Sequence, residues 1–225
     1  MTTNNHPAMS VGVIGLGAMG LGMASSLRRA GHHVNVCDVR HDVAKAFAKD
    51  GGTAYETPAD VAKASDLIVS VVVNADQTEQ ILFGANGAAA HMRQGSLFVM
   101  CSTVDPNWSA ALEKRLNDMG LLYLDAPISG GAAKAASGQM TMMTSGQAAA
   151  YAKAGNALEC MAAHVYKLGD RAGYGSKVKI INQLLAGVHI AAAAEAMALG
   201  LREGVAADAL YEVITNSAGN SWMFE

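Results

Sequence analysis

The stretch SVGVIGLGAMGLGMASSLRRAGHHVNVCDVR, Ser10 to Arg40, decides how the rest of the chain is read. Val11, Val13 and Ile14 form a short apolar run around Gly12, the profile of a buried strand. The run passes directly into Gly15-Leu16-Gly17-Ala18-Met19-Gly20. Met19, Met23, Leu27 and Ala30 then recur at helical spacing, and Gly31 supplies a stop. A second strand, Val34 to Val39, carries Asp38 near its end.

Each glycine of the turn has a separate task. Gly15 permits the tight exit from the strand, Gly17 leaves room for a pyrophosphate at the backbone, and Gly20 lets the helix lie close to the sheet. The helix start then offers N–H groups and the positive end of its dipole to the phosphates. Asp38 can accept from a ribose 2′-hydroxyl, and its carboxylate would repel a 2′-phosphate, so the pattern points to NAD rather than NADP. Arg40 has two readings: it can reach a 2′-phosphate, or it is a solvated residue opening the next helix.

The whole chain sets wider bounds. It has 225 residues, enough for one large domain or one domain and part of another. Apolar residues are 51% but aromatics only 5%, with 13 methionines and much alanine and glycine, which suits helices packed closely on a sheet. A net charge of −3 and a pI near 6.1 give no footprint for nucleic acid. No uninterrupted apolar run reaches the roughly 18 residues of a membrane span, so no membrane association is expected. Residues 1–9 lack a basic start and a signal-peptide core, and are expected to be a loose tail. Cys37, Cys101 and Cys160 form no C-x-x-C pair and read as structural thiols in a reducing cytoplasm. The histidines show no ligand spacing, and no metal site is expected.

Beyond Asp38, helix and strand alternate: helix 41–50, strand 53–55, helix 58–64, strand 67–73 (LIVSVVV), helix 76–82, strand 97–101, helix 106–119 and strand 121–126. Such alternation specifies an α/β fold, a Rossmann-type doubly wound parallel sheet with ligands at the carboxyl ends of the strands. Asn74 and Thr103 stand at two of those ends. They read equally as contacts to the nicotinamide half of a cofactor and as helix caps. Asp125-Ala126-Pro127 closes the last of these strands, and Ser129-Gly130-Gly131 follows before a short helix. That sequence can make an anion site from backbone N–H groups and one hydroxyl, suited to a carboxylate, or it is an ordinary loop. A strand at 140–144, a helix at 148–161 and a strand at 165–168 complete the domain, assigned to residues 10–172.

Residues 173–225 are assigned to a long interdomain helix and the beginning of a helical second domain, apparently incomplete. Nothing strongly breaks a helix from Ser176 to Glu203, about 28 residues or roughly 42 Å. A further helix spans 205–216. Near the head of the long helix Lys179, Asn182 and Gln183 share one face among apolar neighbours. A lysine so placed is either a desolvated amine fit for proton transfer or a side chain snorkelling from a helix start. Apolar residues all round the helix predict association of copies, as a homodimer or homotetramer.

GLGAMG, DAPISGG and GYGSKVKIINQ, in that order, resemble the signatures of the β-hydroxyacid dehydrogenase family. The resemblance runs from residue 10 onward. It implies that Lys179 is catalytic with Asn182 as its partner, and that Ser129, Gly130 and Gly131 bind the substrate carboxylate. It further implies that Asn74 and Thr103 flank the nicotinamide of NAD. VVVNADQTEQILFG and NSAGNSWMFE are similar to members that oxidise a four-carbon sugar acid, L-threonate, at C2. Family members continue past this C-terminus. Two other readings stay open, reduction of a three-carbon semialdehyde and a dinucleotide-sensing module without turnover.

Overall fold

The computed structural model describes residues 7–225. Of the tail expected over 1–9, residues 1–6 lie outside the described residues. Met9 is tied down, its carbonyl accepting from His33 N–H (2.9 Å) and its N–H donating to His32 Nδ1 (3.2 Å).

The strands of the main sheet are β1 (Ser10–Ile14), β2 (His33–Cys37), β3 (Thr53–Ala54), β4 (Leu67–Ser70), β5 (Leu97–Met100) and β6 (Leu122–Asp125). All pair in parallel in the order β3-β2-β1-β4-β5-β6, as the alternation of elements predicts. The connecting helices are α1 (Gly20–Arg29), α2 (His41–Lys49), α3 (Pro58–Ala64), α4 (Ala75–Phe83) and α5 (Pro106–Asp118). Strand alternation divides the core between the two faces. Leu67, Val69, Leu97 and Val99 pack with Met23 and Leu27 of α1, while Ile68, Phe98 and Met100 pack with Leu112 and Leu116 of α5.

Two expected elements need correction, and the later strands form a sheet of their own. The LIVSVVV strand stops at Ser70, because β1 turns away at Gly15 and the ladder ends with Val71 N–H on the Ile14 carbonyl (2.8 Å). The later strands do not extend the main sheet. β7 (Ile128–Ser129), β8 (Met140–Thr144) and β9 (Ala162–Lys167) form a second, three-stranded sheet, antiparallel between β7 and β8 and parallel between β8 and β9. Ala126 makes the last hydrogen bond toward β5, to the Met100 carbonyl, and Pro127 has no N–H to continue it. The helix expected over 148–161 is two, α7 (Ala148–Ala154) and α8 (Ala157–Met161), split where Gly155 takes φ 54°.

Between β7 and β8 lies α6 (Gly131–Ser137), packed on α1. Gly22 makes that contact possible: a Cβ there would stand 2.6 Å from the Ala136 nitrogen and 2.7 Å from the Ala135 carbonyl carbon.

Two compact units are present, Met1–Lys179 and Ile180–Glu225. The helix α9 (Tyr174–Arg202) starts in the first and continues in the second. In the second unit α10 (Ala207–Thr215) closes on the end of α9, where Leu210 fills the place a Gly200 side chain would take. Ile181, Leu184, Leu185 and Val188 are exposed around α9. By length and composition α9 is long and apolar enough to cross a membrane, contrary to expectation. Polar residues such as Asn182 and His189 interrupt every apolar run, but over a whole helix they are too sparse to offset it.

Gly22→Ala should therefore displace α6, at a cost of about 1–3 kcal/mol in unfolding free energy. Urea denaturation measures it, and an unchanged midpoint and slope would mean that α6 is not fixed on α1.

Candidate active site

A cleft of about 710 Å³ opens beyond the carboxyl ends of β1, β2 and β4, a size usual for small-molecule sites. Gly15, Gly17, Asp38 and Arg40 line it together with Val39, Val72 and Val73. Gly15 holds φ at +94°, and its N–H donates to the Cys37 carbonyl (2.9 Å), fastening the turn to β2. A Cβ on Gly15 would strike the Val71 carbonyl, and one on Gly20 the Gly15 carbonyl, so the first and third glycines are fixed by close packing. At Gly17 a Cβ would meet nothing within 4 Å. The middle glycine thus fronts open space, as an approaching phosphate group requires. α1 begins after Met19 with no side-chain cap and no acid in its first turn, which leaves the dipole end suited to an anion.

Asp38 is 7% exposed and already engaged. Its carboxylate accepts from Leu16 N–H (2.5 Å), from Arg40 N–H (2.8 Å) and from Arg40 Nε (3.3 Å). Burial would raise the carboxyl, but the Arg40 and Leu16 N–H groups and the Arg40 guanidinium outweigh it and hold the group below its ordinary value. Arg40 is the residue just before α2, as one reading had it, yet its guanidinium folds back over Asp38 and also donates to the Leu16 carbonyl (3.1 Å). Of the remaining turn residues, Leu16 buries its side chain in the core, and Ala18 and Met19 do not line the cleft.

The structure does not bring Asn74 and Thr103 into the cleft lining. Asn74 caps α4, its Oδ1 accepting from Gln77 N–H (2.9 Å), while Gln77 Oε1 accepts from Val73 N–H (2.9 Å). Thr103 is exposed beyond β5. Its neighbour Ser102 is buried, donating to the Val72 carbonyl (2.8 Å) and so bracing the floor of the cleft.

Ser129 ends β7, and Gly130 and Gly131 take φ of 143° and 74° to start α6. A Cβ on Gly131 would meet nothing within 4 Å, so this corner too is open. Lys179 is 7% exposed, and among the described residues no acceptor reaches its Nζ. Burial alone lowers its pKa. Asn182 is half-buried and lies on α9 one turn after Lys179, in the second compact unit.

Sequence reasoning passed over the residues that mount Lys179. Asp125, which the sequence marks only as the end of a strand, is fully buried. It accepts from Gly173 N–H (2.9 Å), Ser176 N–H (2.9 Å), Ser176 Oγ (2.7 Å) and Ser145 Oγ (3.2 Å). Ser145 Oγ in turn accepts from Gly175 N–H (2.9 Å), and Glu113 Oε2 accepts from Ala172 N–H (3.0 Å). The available signal was an acid in an otherwise apolar strand, which must find donors once buried.

Residues 10–169 match the family described as the NAD binding domain of 6-phosphogluconate dehydrogenase. Residues 173–225 match the NAD-binding family of NADP-dependent 3-hydroxyisobutyrate dehydrogenase. The chain is 62% identical to an L-threonate dehydrogenase of Cupriavidus necator over 96% of its length and 73% of the relative's. It is 45% identical to an L-threonate dehydrogenase of Escherichia coli K12, over 96% of this chain and 72% of that one. A crystal structure of a 3-hydroxyisobutyrate dehydrogenase from Salmonella typhimurium superposes with a TM-score of 0.92 at 45% identity, covering 96% of this chain and 76% of that one. With the glycine turn, the cleft and the buried lysine all in one sheet domain, these matches make the chain a hydroxyacid dehydrogenase that uses a nicotinamide dinucleotide, and it belongs to the β-hydroxyacid dehydrogenase family.

Proposed function

We propose that the protein oxidises L-threonate at C2, with NAD as acceptor and Lys179 as the proton-accepting base. The observation that carries the lysine's part is a buried amine with no acceptor among the described residues, on a chain 62% identical to an L-threonate dehydrogenase. NAD, when bound, supplies the acceptor for hydride. The residues fit it: Gly17 and the uncapped start of α1 offer space and N–H groups for a pyrophosphate, and Asp38 lines the same cleft. Asn74 and Thr103 are assigned to the nicotinamide side on the family resemblance.

Ser129 and the N–H groups of Gly130 and Gly131 would hold the substrate carboxylate and so orient the carbinol carbon. Lys179, whose pKa burial lowers from the ordinary lysine value, takes the hydroxyl proton, and Asn182 holds that hydroxyl. Because burial lowers the lysine's pKa, the rising limb of the oxidation rate with pH should lie below the ordinary lysine value of about 10.4. Three free cysteines are in keeping with a reducing cytoplasm. The same reading treats α9 as a bundle helix rather than a membrane span, since a crystallised dehydrogenase shares 96% of this chain's length. A second copy is the cover proposed for its exposed apolar residues, giving a homodimer or homotetramer.

Lys179→Ala should lower turnover by about 10²–10⁴-fold while leaving NADH binding near its original strength. Ser129→Ala should act mainly on KM for the acid, because its contact is present in the ground state too. A steady-state assay with L-threonate and 3-hydroxyisobutyrate side by side reads both variants. A Lys179→Ala enzyme retaining more than about a tenth of the rate would remove the lysine from the chemistry, and preference for 3-hydroxyisobutyrate would replace the substrate.

Cofactor choice should rest on Asp38. Its two oxygens now accept from Leu16 and Arg40 and would take ribose hydroxyls in their stead, and removing it would free Arg40 for a 2′-phosphate. Asp38→Ala should narrow the preference for NAD over NADP by about 2 kcal/mol, from charge-assisted hydrogen bonds and lost repulsion. Equal use of both cofactors by the unmutated enzyme would assign the pocket to Arg40 instead.

Light scattering of residues 1–225 at micromolar concentration should report more than one copy per particle. A monodisperse monomer would show that the exposed face of α9 needs no second chain.

A further inference from the structure

We infer that Asp125 is the positioning residue for Lys179: its buried carboxylate anchors the first turn of α9 to the sheet and thereby sets where the amine stands. The inference rests on the reading of Lys179 as the proton acceptor. All the groups involved lie within the unit Met1–Lys179.

The geometry is that of a helix cap supplied from a distant strand. Gly173 precedes α9 and Ser176 lies within its first turn, and the N–H groups of both donate to Asp125 Oδ2 at 2.9 Å. The Ser176 hydroxyl donates to Oδ1 at 2.7 Å, so both carboxylate oxygens are engaged with the helix start. The Gly175 N–H goes to Ser145 Oγ, which itself donates to Asp125. A Cβ on Gly175 would strike the Met143 carbonyl and stand 3.2 Å from Asp125 Oδ2, so the turn is pressed onto β6 and β8 with no slack. Lys179 follows Ser176 by three residues, on the same side of the helix.

Asp125 acts on the lysine by placement, not by charge. Burial accounts for the lowered pKa of Lys179, and among the described residues no charged neighbour contributes to it. The groups that feel Asp125 are others: Glu113 of α5, Tyr123 of β6, Cys101 after β5 and Tyr151 of α7. Each is raised first by burial and then by that carboxylate, Cys101 to about 12. Glu113 holds the preceding Ala172 N–H, so the approach to α9 is pinned by acids at two successive points. Asp170 and Arg171 are the charged groups of that approach, and both act on Glu113.

The test uses the intact enzyme with L-threonate and NAD, in four variants: Asp125→Ala, Asp125→Asn, Ser176→Ala and Lys179→Ala. Loss of the anchor should cut kcat on the order of 10²-fold for Asp125→Ala, since a displacement of about 1 Å at a reacting group has that effect. Asp125→Asn, which keeps one accepting oxygen, should recover part of the rate, and Ser176→Ala should lose the least. NADH affinity by fluorescence should stay within about twofold. The rising limb of the kcat/KM pH profile should move upward by on the order of one unit as the amine regains water. A lower melting temperature with unchanged kcat and an unmoved limb would make Asp125 a stability residue only, and overturn the inference. Should Asp125→Ala not fold, Ser176→Ala decides: a moved limb sustains the inference and an unmoved one overturns it. Full activity in Lys179→Ala would instead overturn the lysine's assignment, and the inference with it.

Discussion

A fully buried carboxylate costs several kcal/mol unless its surroundings supply donors, and Asp125 is held by two backbone N–H groups and two hydroxyls. That demand ties together parts of the chain far apart in sequence. Asp125 ends β6 of the main sheet and pairs through its backbone with Ser145, just past β8 of the second sheet. Its side chain closes the start of α9, from 48 to 51 residues away. One side chain therefore joins the two sheets and the helix that carries Lys179. The first compact unit extends through Lys179, past the glycine-rich loop before α9.

The cofactor end of the same domain works by the opposite means, through space left open. Gly15 and Gly20 are locked by contacts that exclude any side chain, whereas Gly17 faces a void. Asp38 is held between Leu16 and Arg40, so the charge that would select the ribose is already oriented by the turn it serves. Under the proposed role of Asp38, a ribose hydroxyl would replace an N–H donor at a carboxylate already held in place, as in a preformed site. Arg40 moderates this. Paired with Asp38, it blunts the negative charge at the cleft.

Most of the main sheet was legible because its information is local. The apolar runs, the glycine turn and the caps at Thr57 and Asp105 each declare an element within a few residues. The second sheet was not, since MTMMT at 140–144 looks like any buried strand and only pairing with β7 and β9 distinguishes it. Asp125 was hidden for the same reason: its donors Ser145, Gly173 and Ser176 arrive from 20 to 51 residues away. Nothing local marks Gly22 in the sequence, and only α6 against it gives it a task. At the site, the glycine turn and the acid after the second strand are local signals, whereas the burial of Lys179 was one of two open readings and only the packed structure decides it. The capping use of Asn74 was one of two open readings, and the Gln77 N–H shows it in use.

In the proposed reaction hydride leaves C2 of a four-carbon sugar acid, and isotope transfer tests this without relying on any variant. L-threonate deuterated at C2, incubated with NAD and the enzyme, should yield reduced cofactor one mass unit heavier, with no label left in the oxidised acid. Unlabelled reduced cofactor, or deuterium retained in the acid or released to water, would contradict oxidation at that carbon.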